Sequence, residues 1–195
     1  MIPPKRRGSL IVVSAGSGAG KSTLCRELVR QMADLQFSIS VTTRQPRPGE
    51  RDGREYFFVT DAAFQAMRKR KELLEYASVH GYCYGTPRGF VERTLRAGRN
   101  VLLDIDVQGA LTVKKLMPEA VLIFITTPSF KEMERRLRAR LSETERDIQR
   151  RLADARRELK MMPRYDYHVV NDDVTAAVER LATIVTAESM RIRKH

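Results

Sequence analysis

Short apolar runs alternate with longer amphipathic stretches along most of this chain. Apolar runs of this length predict buried strands, whereas apolar positions that recur every three or four residues predict helices. The expected strands are residues 9–14, 38–43, 100–105, 120–126 and 167–171. The expected helices are residues 20–35, 61–71, 88–97, 130–140, 144–160 and 174–192. Because strands and helices alternate, we expect an α/β fold with a parallel sheet flanked by helices.

Two regions interrupt this alternation. Residues 36–90 hold short strands, clusters of Gly and Tyr and little helix, and residues 128–160 are mostly charged helix. We interpret both as insertions into a single domain that spans residues 1–195. The core of that domain is then expected at residues 8–35, 91–127 and 161–195.

Composition narrows the function classes. Of the 195 residues, 42% are hydrophobic, which predicts a packed core rather than a disordered chain. The longest apolar runs, "LIVV" (10–13) and "VLIFI" (121–125), are too short to span a bilayer, so no membrane partner is expected. The N-terminus carries charge but no apolar stretch of signal-peptide length, which favours a cytoplasmic protein.

The formal net charge of +12 indicates polyanionic partners, which include both nucleic acids and nucleotides. Much of the basic charge falls in residues 131–164, where it is mixed with Asp and Glu as on a solvated helix face. The sequence has no RNP motif, no zinc-ligand spacing and no basic run interleaved with aromatic residues. We therefore expect nucleotide partners and no nucleic acid.

The stretch "LIVVSAGSGAGKST" (10–23) carries the strongest functional signal. A hydrophobic strand leads into a loop of small residues, and Gly-Lys-Ser-Thr then opens a helix. Small residues let backbone N–H groups surround a polyphosphate, and the helix N-terminus adds positive potential. Lys21 can reach the β and γ phosphates, and the Ser22 hydroxyl can bind Mg²⁺. The residues expected to bind ATP are Ala15, Gly16, Ser17, Gly18, Ala19, Gly20, Lys21, Ser22 and Thr23. Ala15 stands where the strict pattern has glycine.

An acidic pair provides the expected metal partner. The stretch "NVLLDIDVQG" (100–109) predicts an apolar strand that ends in Asp104 and Asp106. Residues two apart on a strand face the same side, so both carboxylates are expected at the sheet edge where α/β folds bind ligands. Asp104 fits the role of holding Mg²⁺ through water. These features predict Mg·ATP and either phosphoryl transfer or hydrolysis, without naming an acceptor.

The stretch "TTRQPRPGERDGREYFF" (42–58) is a candidate acceptor site. Arg44 and Arg47 lie three residues apart on a backbone stiffened by Pro46 and Pro48, which lowers the entropic cost of presenting both side chains. Two guanidinium groups suit a phosphate dianion. Taken alone, this composition fits a solvated loop equally well.

The order of several motifs resolves this ambiguity. The phosphate-binding loop at residues 10–23, or P-loop, is followed by five stretches in a fixed order. They are "SISVTTRQPRPGERDGREYFFV" (38–59), "EYASVHGYCYGT" (75–86), "LLDIDVQGA" (102–110), "RLRARLSETERDIQRRL" (136–152) and "VVNDD" (169–173). From about residue 8 onward, the chain resembles the guanylate kinases. The resemblance implies a P-loop NTPase-type fold with a GMP-binding lobe at residues 36–90 and a helical lid at residues 128–160. It also implies transfer of the γ-phosphoryl group of Mg·ATP to GMP, and to dGMP, in purine nucleotide metabolism and GMP recycling.

The resemblance also implies roles for individual residues. The GMP site comprises Ser40, Arg44, Arg47, Glu50, Tyr56, Glu75, Tyr84, Thr86 and Asp106. Asn171 corresponds to a residue that contacts the adenine of ATP. The residues acting on the transferring phosphoryl group are Lys21, Arg44, Asp104 and the lid arginines Arg136, Arg140 and Arg151. The implied metal site is Ser22 with Asp104, and Leu141 replaces a glycine that the family often has after the lid arginine.

Elementary chemistry agrees with the implied base-reading role of Glu75. Guanine presents two donors, N1–H and the N2 amino group, on its pairing edge, and one carboxylate can accept from both. Adenine presents an acceptor at N1 instead, and such pairing can discriminate by roughly 10⁴. No general base is required, because the attacking phosphate oxygen of GMP is already anionic.

Three alternatives remain open from the sequence. A guanylate-kinase-like binding module without activity would bind phosphopeptides, although the intact Gly20, Lys21 and Ser22 argue against one. A nucleic-acid-stimulated P-loop ATPase would show steeply salt-dependent duplex binding. A kinase acting on another acceptor, such as AMP, would use the same chemistry. The sequence gives no indication of oligomeric state.

Overall fold

The computed structural model describes residues 7–16, 18–79, 81–139 and 145–192. The strands in these ranges are β1 (Leu10–Ala15), β2 (Leu35–Phe37), β3 (Val41–Thr42), β4 (Phe57–Phe58), β5 (Leu73–Val79), β6 (Tyr82–Pro87), β7 (Asn100–Asp104), β8 (Val121–Thr126) and β9 (Tyr167–Val170). The helices are α1 (Lys21–Gln31), α2 (Asp61–Lys69), α3 (Arg88–Arg96), α4 (Val107–Leu116), α5 (Phe130–Arg138), α6 (Glu145–Leu159) and α7 (Val174–Met190). A short 3₁₀ helix, Met162–Arg164, precedes β9.

A five-stranded parallel sheet forms the centre of the molecule, in the order β2-β7-β1-β8-β9. The chain first builds β2 and β7 on one side of β1 and then crosses to β8 on the other side. Ligands of open α/β sheets bind at the carboxyl ends of the strands beside such a change of direction. Val13 of β1 pairs with Asp104 of β7, so the loop after β1 begins next to Asp104. This arrangement confirms the expected α/β fold with its parallel sheet.

Strand β1 is buried on both faces. Ile11 and Val13 face a core cluster that includes residues of α1 and α7, whereas Leu10 and Val12 face a second cluster that includes residues of α3 and α4. Burial on both faces is the reason why the strand is continuously apolar in sequence rather than alternating. The sheet is therefore a rigid base for the loops at its carboxyl edge.

Two smaller units extend from this core. A second sheet has the order β4-β3-β6-β5, and Phe64 of α2 packs against it in a small cluster with Val41 and Leu73. Helices α5 and α6 share a separate apolar cluster around Leu137 and Leu152. The sheet lies within residues 36–90 and the helix pair within residues 128–160, although the domain boundaries themselves stay a prediction. None of the helices in the described ranges is both long and apolar enough to cross a membrane.

The predicted helix over residues 20–35 is too long. Helix α1 ends at Gln31, and Leu35 begins the edge strand β2. The cause is tertiary pairing, because Leu35 pairs with Asn100 of β7 and the Asn100 Nδ2 donates to Asp34 Oδ2 (2.9 Å). The predicted strand over residues 38–43 is likewise reduced to Val41–Thr42.

Helix α4 is absent from the sequence-based prediction, and its presence changes the position of Asp106. Strand β7 ends at Asp104, and Asp106 caps α4 by accepting hydrogen bonds from the N–H groups of Gly109 (3.0 Å) and Gln108 (3.4 Å). The inference that Asp104 and Asp106 face the same side because they share a strand is therefore wrong. Asp106 lies at the N-terminus of α4 instead.

Candidate active site

The loop between β1 and α1 has the backbone shape that a phosphate cradle requires. Gly18 and Gly20 have φ angles of 86° and 81°, which favour glycine, and Gly20 is the N-cap of α1. The Gly20 carbonyl accepts from the N–H groups of Thr23 and Leu24, so the first turn of the helix is formed. Positive potential at this helix N-terminus suits an anion. Ala15 ends β1 and Gly16 is buried, whereas Ser17 lies outside the described residues.

Lys21, the first residue of α1, forms an ion pair with Asp104 at the end of β7. Lys21 Nζ lies 2.5 Å from Asp104 Oδ1 and donates to the Ile105 carbonyl (2.8 Å). Burial alone would lower the pKa of Lys21, but the Asp104 carboxylate outweighs it and raises the pKa. Lys21 is therefore fully charged at neutral pH and held at the sheet edge.

Ser22 and Asp104 offer oxygen ligands to a divalent cation. The Ser22 hydroxyl donates to Asp104 Oδ2 at 2.8 Å. Mg²⁺ in nucleotide sites takes one or two protein oxygens, substrate phosphates and water, rather than a complete protein cage. The two residues fit that pattern, and no group of three or more His, Cys, Asp or Glu suited to a metal occurs among the described residues.

Arg44 is fixed before any substrate binds. Its Nη2 donates to both Glu50 carboxylate oxygens at 2.9 Å, and its Nη1 donates to the Gln45 carbonyl at 2.7 Å. The Arg44 side chain is only 9% exposed. Burial alone would raise the pKa of Glu50, but hydrogen bonds from the Arg47 N–H and from Arg44 hold it below its usual value. Glu50 thus joins the backbone at Arg47 to the Arg44 guanidinium, while the Arg47 side chain is exposed.

Tyr56 packs against the arginine loop. The Arg44 guanidinium lies 5.4 Å from the centroid of the Tyr56 ring, and Tyr84 packs edge-on against Tyr56 at 5.8 Å. Burial raises the pKa of Tyr56, and the negative charge of Asp104 raises it further, while Lys21 opposes both. The Tyr56 hydroxyl is therefore a neutral donor at neutral pH.

The candidate base pocket contains a buried carboxyl group. Glu75 is 4% exposed, and its Oε1 accepts a 2.6 Å hydrogen bond from the fully buried Thr86 hydroxyl. Burial raises the pKa of Glu75 to about 7, the Thr86 hydrogen bond opposes this, and the nearby Asp106 carboxylate raises it further. Ser40 is also buried, and its carbonyl accepts from the Phe57 N–H.

Asn171 supports the P-loop from beneath. It is 2% exposed, and its Nδ2 donates to the Ala19 carbonyl at 2.7 Å. Its backbone N–H donates to the Thr126 carbonyl (2.7 Å), which extends the β8–β9 pairing. The amide nitrogen is thus engaged by the loop backbone, whereas the Asn171 Oδ1 is buried and has no hydrogen-bond partner within the described residues. The implied adenine contact stays a prediction.

The lid arginines are only partly described. Arg136 Nε donates to Glu132 (2.7 Å), and its Nη2 donates to the Asn171 carbonyl (3.2 Å). Arg151 is half-buried on α6, while Arg140 and Leu141 lie outside the described residues. Glu132 was not predicted as a site residue, although its position four residues before Arg136 on one helix face would have indicated the pair.

Known proteins are similar to this chain over nearly its whole length. The family model described as guanylate kinase matches residues 7–188. The chain belongs to the guanylate kinase family. A guanylate kinase from Desulfitobacterium hafniense is 47% identical over 97% of this chain and 95% of that protein. A guanylate kinase from Caldanaerobacter subterraneus subsp. tengcongensis is 46% identical over 98% of this chain and 93% of that protein.

A solved structure extends the comparison to the fold. The crystal structure of guanylate kinase from Anaplasma phagocytophilum matches with a TM-score of 0.82 at 34% identity, and covers 96% of this chain and 89% of that one. The resemblance inferred from the motif order is therefore confirmed. The similarity of sequence and of fold extends over nearly the whole chain.

Proposed function

We propose that this protein is an ATP:GMP phosphotransferase that converts Mg·ATP and GMP into ADP and GDP. The observation that carries the proposal is a pair of cations, each held by a carboxylate. Lys21 at the start of α1 is held by Asp104, and Arg44 in the acceptor loop is held by Glu50. Two such cations suit the phosphate groups of a donor and an acceptor nucleotide, as phosphoryl transfer requires.

On the donor side, the P-loop backbone and Lys21 hold the triphosphate. Lys21 already carries its positive charge at the carboxyl edge of the sheet, so it stabilises charge on the transferring group without further reorganisation. Ser22 and Asp104 would hold Mg²⁺, which supplies charge neutralisation at the phosphates. Arg136, Arg140 and Arg151 are proposed to surround the transferring group from the lid.

On the acceptor side, Arg44 and Arg47 hold the GMP phosphate, with Tyr56 and Tyr84 as additional donors. The Glu50 carboxylate keeps Arg44 in place, which lowers the entropy lost when the phosphate binds. The attacking phosphate oxygen needs no base, so catalysis rests on positioning and electrostatics.

Guanine is read by the buried Glu75, Thr86 and Ser40 together with the half-buried Asp106. The ionised Glu75 carboxylate accepts from N1–H and the N2 amino group, Asp106 adds a second acceptor, and Thr86 and Ser40 complete the pocket. Thr86 supports this role because its hydroxyl fixes Glu75 Oε1 at 2.6 Å. The pocket thereby favours GMP and dGMP over AMP.

The remaining sequence-based expectations are part of this proposal. They are a GMP-binding lobe at residues 36–90, a lid at residues 128–160, a cytoplasmic location and a role in purine nucleotide metabolism. The separate sheet within the first range and the separate helix pair within the second support the two-insertion description.

A coupled assay of ADP release tests the proposal. The full-length protein with Mg·ATP is offered GMP, dGMP, AMP, CMP and UMP separately, and we expect turnover with GMP and dGMP and little with the others. Absence of turnover with GMP, or equal turnover with AMP, would refute the proposal. Duplex DNA and a phosphopeptide are added in parallel reactions, where neither is expected to stimulate ATP use.

A further inference from the structure

Gly109 is a buried glycine that its own backbone does not require. It is the third residue of α4, and its N–H donates to Asp106 Oδ1 at 3.0 Å. It is not among the glycines with positive φ in the described residues. Alanine is the better helix former at such a position. The reason for glycine must therefore lie in the surrounding space.

The Glu75 carboxylate fills that space. A Cβ atom on residue 109 would lie 2.6 Å from Glu75 Oε2 and 3.1 Å from Glu75 Cδ. It would also lie 3.1 Å from Asp106 Oδ1, so both carboxylates border the same small volume. Real Cβ atoms essentially never approach another heavy atom closer than 3.0 Å.

Glu75 has little freedom to avoid such a group. Its other oxygen, Oε1, accepts the 2.6 Å hydrogen bond from Thr86, and both side chains are buried. Rotating the carboxylate away from residue 109 would break this bond and so leave the buried Thr86 hydroxyl without its acceptor, which is unfavourable. The position of Oε2 is thus set jointly by Thr86 and by the absence of a side chain at Gly109.

We propose that Gly109 is a specificity-determining position: without a side chain, it lets the Glu75 carboxylate rest against the start of α4, beside Asp106, in the orientation that accepts both guanine donors. The inference rests on the proposed function and adds to it a residue that touches no substrate. Gly109 is a positioning residue, and it acts through Glu75. Its effect is therefore confined to the acceptor base.

The test is the variant Gly109→Ala in the full-length protein. The methyl group displaces Oε2, and a misplacement of this kind can cost on the order of 10- to 100-fold. We expect the KM for GMP to rise by about tenfold or more and the GMP-to-AMP preference in kcat/KM to fall by a similar factor. The KM for ATP should change less than about twofold, because α1 and the P-loop are untouched.

A matched control comes from α3. Gly89 is the second residue of that helix, and a Cβ there would meet only the far end of the Arg93 side chain (2.9 Å to Nη1), which can move. Gly89→Ala makes the same chemical change in a helix and should leave both KM values unchanged. A rise in the KM for GMP in this variant as large as that in Gly109→Ala would overturn the inference.

A double variant tests whether the effect passes through Glu75. Glu75→Asp shortens the side chain and withdraws the carboxylate from residue 109. In that background, Gly109→Ala should raise the KM for GMP by less than about twofold, a non-additivity expected of residues in contact. If Gly109→Ala alone does not fold, the double variant should restore the melting transition, and a double variant that stays unfolded would refute the contact.

The outcomes separate this inference from the proposed function. A wild-type protein that does not phosphorylate GMP overturns both. A wild-type protein that does, with a Gly109→Ala variant of unchanged GMP-to-AMP preference, overturns only the role of Gly109. Equal increases in the KM for GMP and for ATP would show general damage and would also refute the specificity role.

Discussion

The buried Glu75 carboxyl group predicts that GMP binding depends on pH near neutrality. Glu75 is 4% exposed, and burial is the main reason why its pKa rises from 4.5 to about 7. Asp106 adds a repulsive negative charge, while the Thr86 hydroxyl opposes the shift. Guanine donates two hydrogen bonds, so it requires the ionised carboxylate. GMP binding and proton release from Glu75 are therefore coupled.

The size of the coupling follows from the pKa values. A pKa that rises from 4.5 to about 7 means that ionising Glu75 in the empty pocket costs about 3 kcal/mol more than in the unfolded chain. Folding thus favours the protonated acid. The contribution of Glu75 to the stability of the ligand-free protein is therefore greatest below pH 4.5 and falls by about 3 kcal/mol as pH rises through 7. At about one pH unit below the pKa, only about a tenth of the sites are ionised.

The assay is a set of initial rates from about pH 5.5 to about pH 8.5, with the KM for GMP and for ATP measured separately. Below a pH of about 7, the KM for GMP should rise about tenfold per pH unit, whereas the KM for ATP should not follow. The GMP phosphate itself titrates near pH ~6. Glu75→Gln therefore serves as the control, because it retains the phosphate titration but has no titrating group at position 75.

The pH profiles of the wild type and of Glu75→Gln together show whether ionisation of Glu75 controls GMP binding. The ratio of the wild-type KM for GMP to that of Glu75→Gln should fall as pH rises and level off above about pH 8. Glu75→Gln should also lose much of the GMP-to-AMP preference while retaining its fold, because the amide lacks the second acceptor. Parallel pH profiles for the two proteins would refute the reasoning.

Two further substitutions test the candidate phosphate-binding loops, and a third serves as a control. Glu50→Gln leaves the Arg44 guanidinium, whose side chain is 9% exposed, without its charge partner. It should lower the free energy of unfolding by about 3 kcal/mol, as measured by urea denaturation, and raise the KM for GMP, as measured by initial rates. An unchanged urea midpoint would contradict this. Gly20→Ala combines a φ of 81° with a Cβ atom 2.6 Å from Asn171 Nδ2, so it should raise the KM for ATP strongly. Gly81 has a φ of 85° with open space around its Cβ position. Gly81→Ala should therefore lose about 1 kcal/mol of stability from backbone strain without changing the KM for ATP. Equal KM values for ATP in the two glycine variants would argue against the Asn171 contact.

The parts of the fold that the sequence predicts well are those with local causes. Strand β1 is apolar because both its faces are buried, and the following small residues and Lys21 form a contiguous signal. Helices α2, α5 and α7 are preceded by the N-cap residues Thr60, Ser129 and Asp173, whose side chains accept hydrogen bonds from the first turn. Each of these features depends on a few neighbouring residues, so a pattern is sufficient to predict it.

The features that the sequence does not predict comprise one misleading local pattern and two contacts between distant residues. Asp106 follows an apolar strand and resembles its continuation, but it caps α4, and the pattern of alternating Asp residues conceals the change. Asn171 supports the Ala19 carbonyl across 152 positions of sequence. The glycine at position 109 is explained by Glu75, which belongs to β5. No short window of the sequence contains both Asn171 and Ala19, or both Gly109 and Glu75.

The two candidate phosphate sites share one arrangement, in which a carboxylate holds the cation in place. Lys21 is held by Asp104 and Arg44 by Glu50, so each cation has a fixed carboxylate partner before an anion arrives. Lys21 Nζ has three donors, of which one faces Asp104 and one faces the Ile105 carbonyl. A nucleotide phosphate can therefore take the third donor without disturbing the other two. Asp104 also accepts from the Ser22 hydroxyl, whose oxygen keeps lone pairs for a cation while its proton stays directed at Asp104. The same carboxylate therefore orients both the lysine for the phosphate and the serine for the metal.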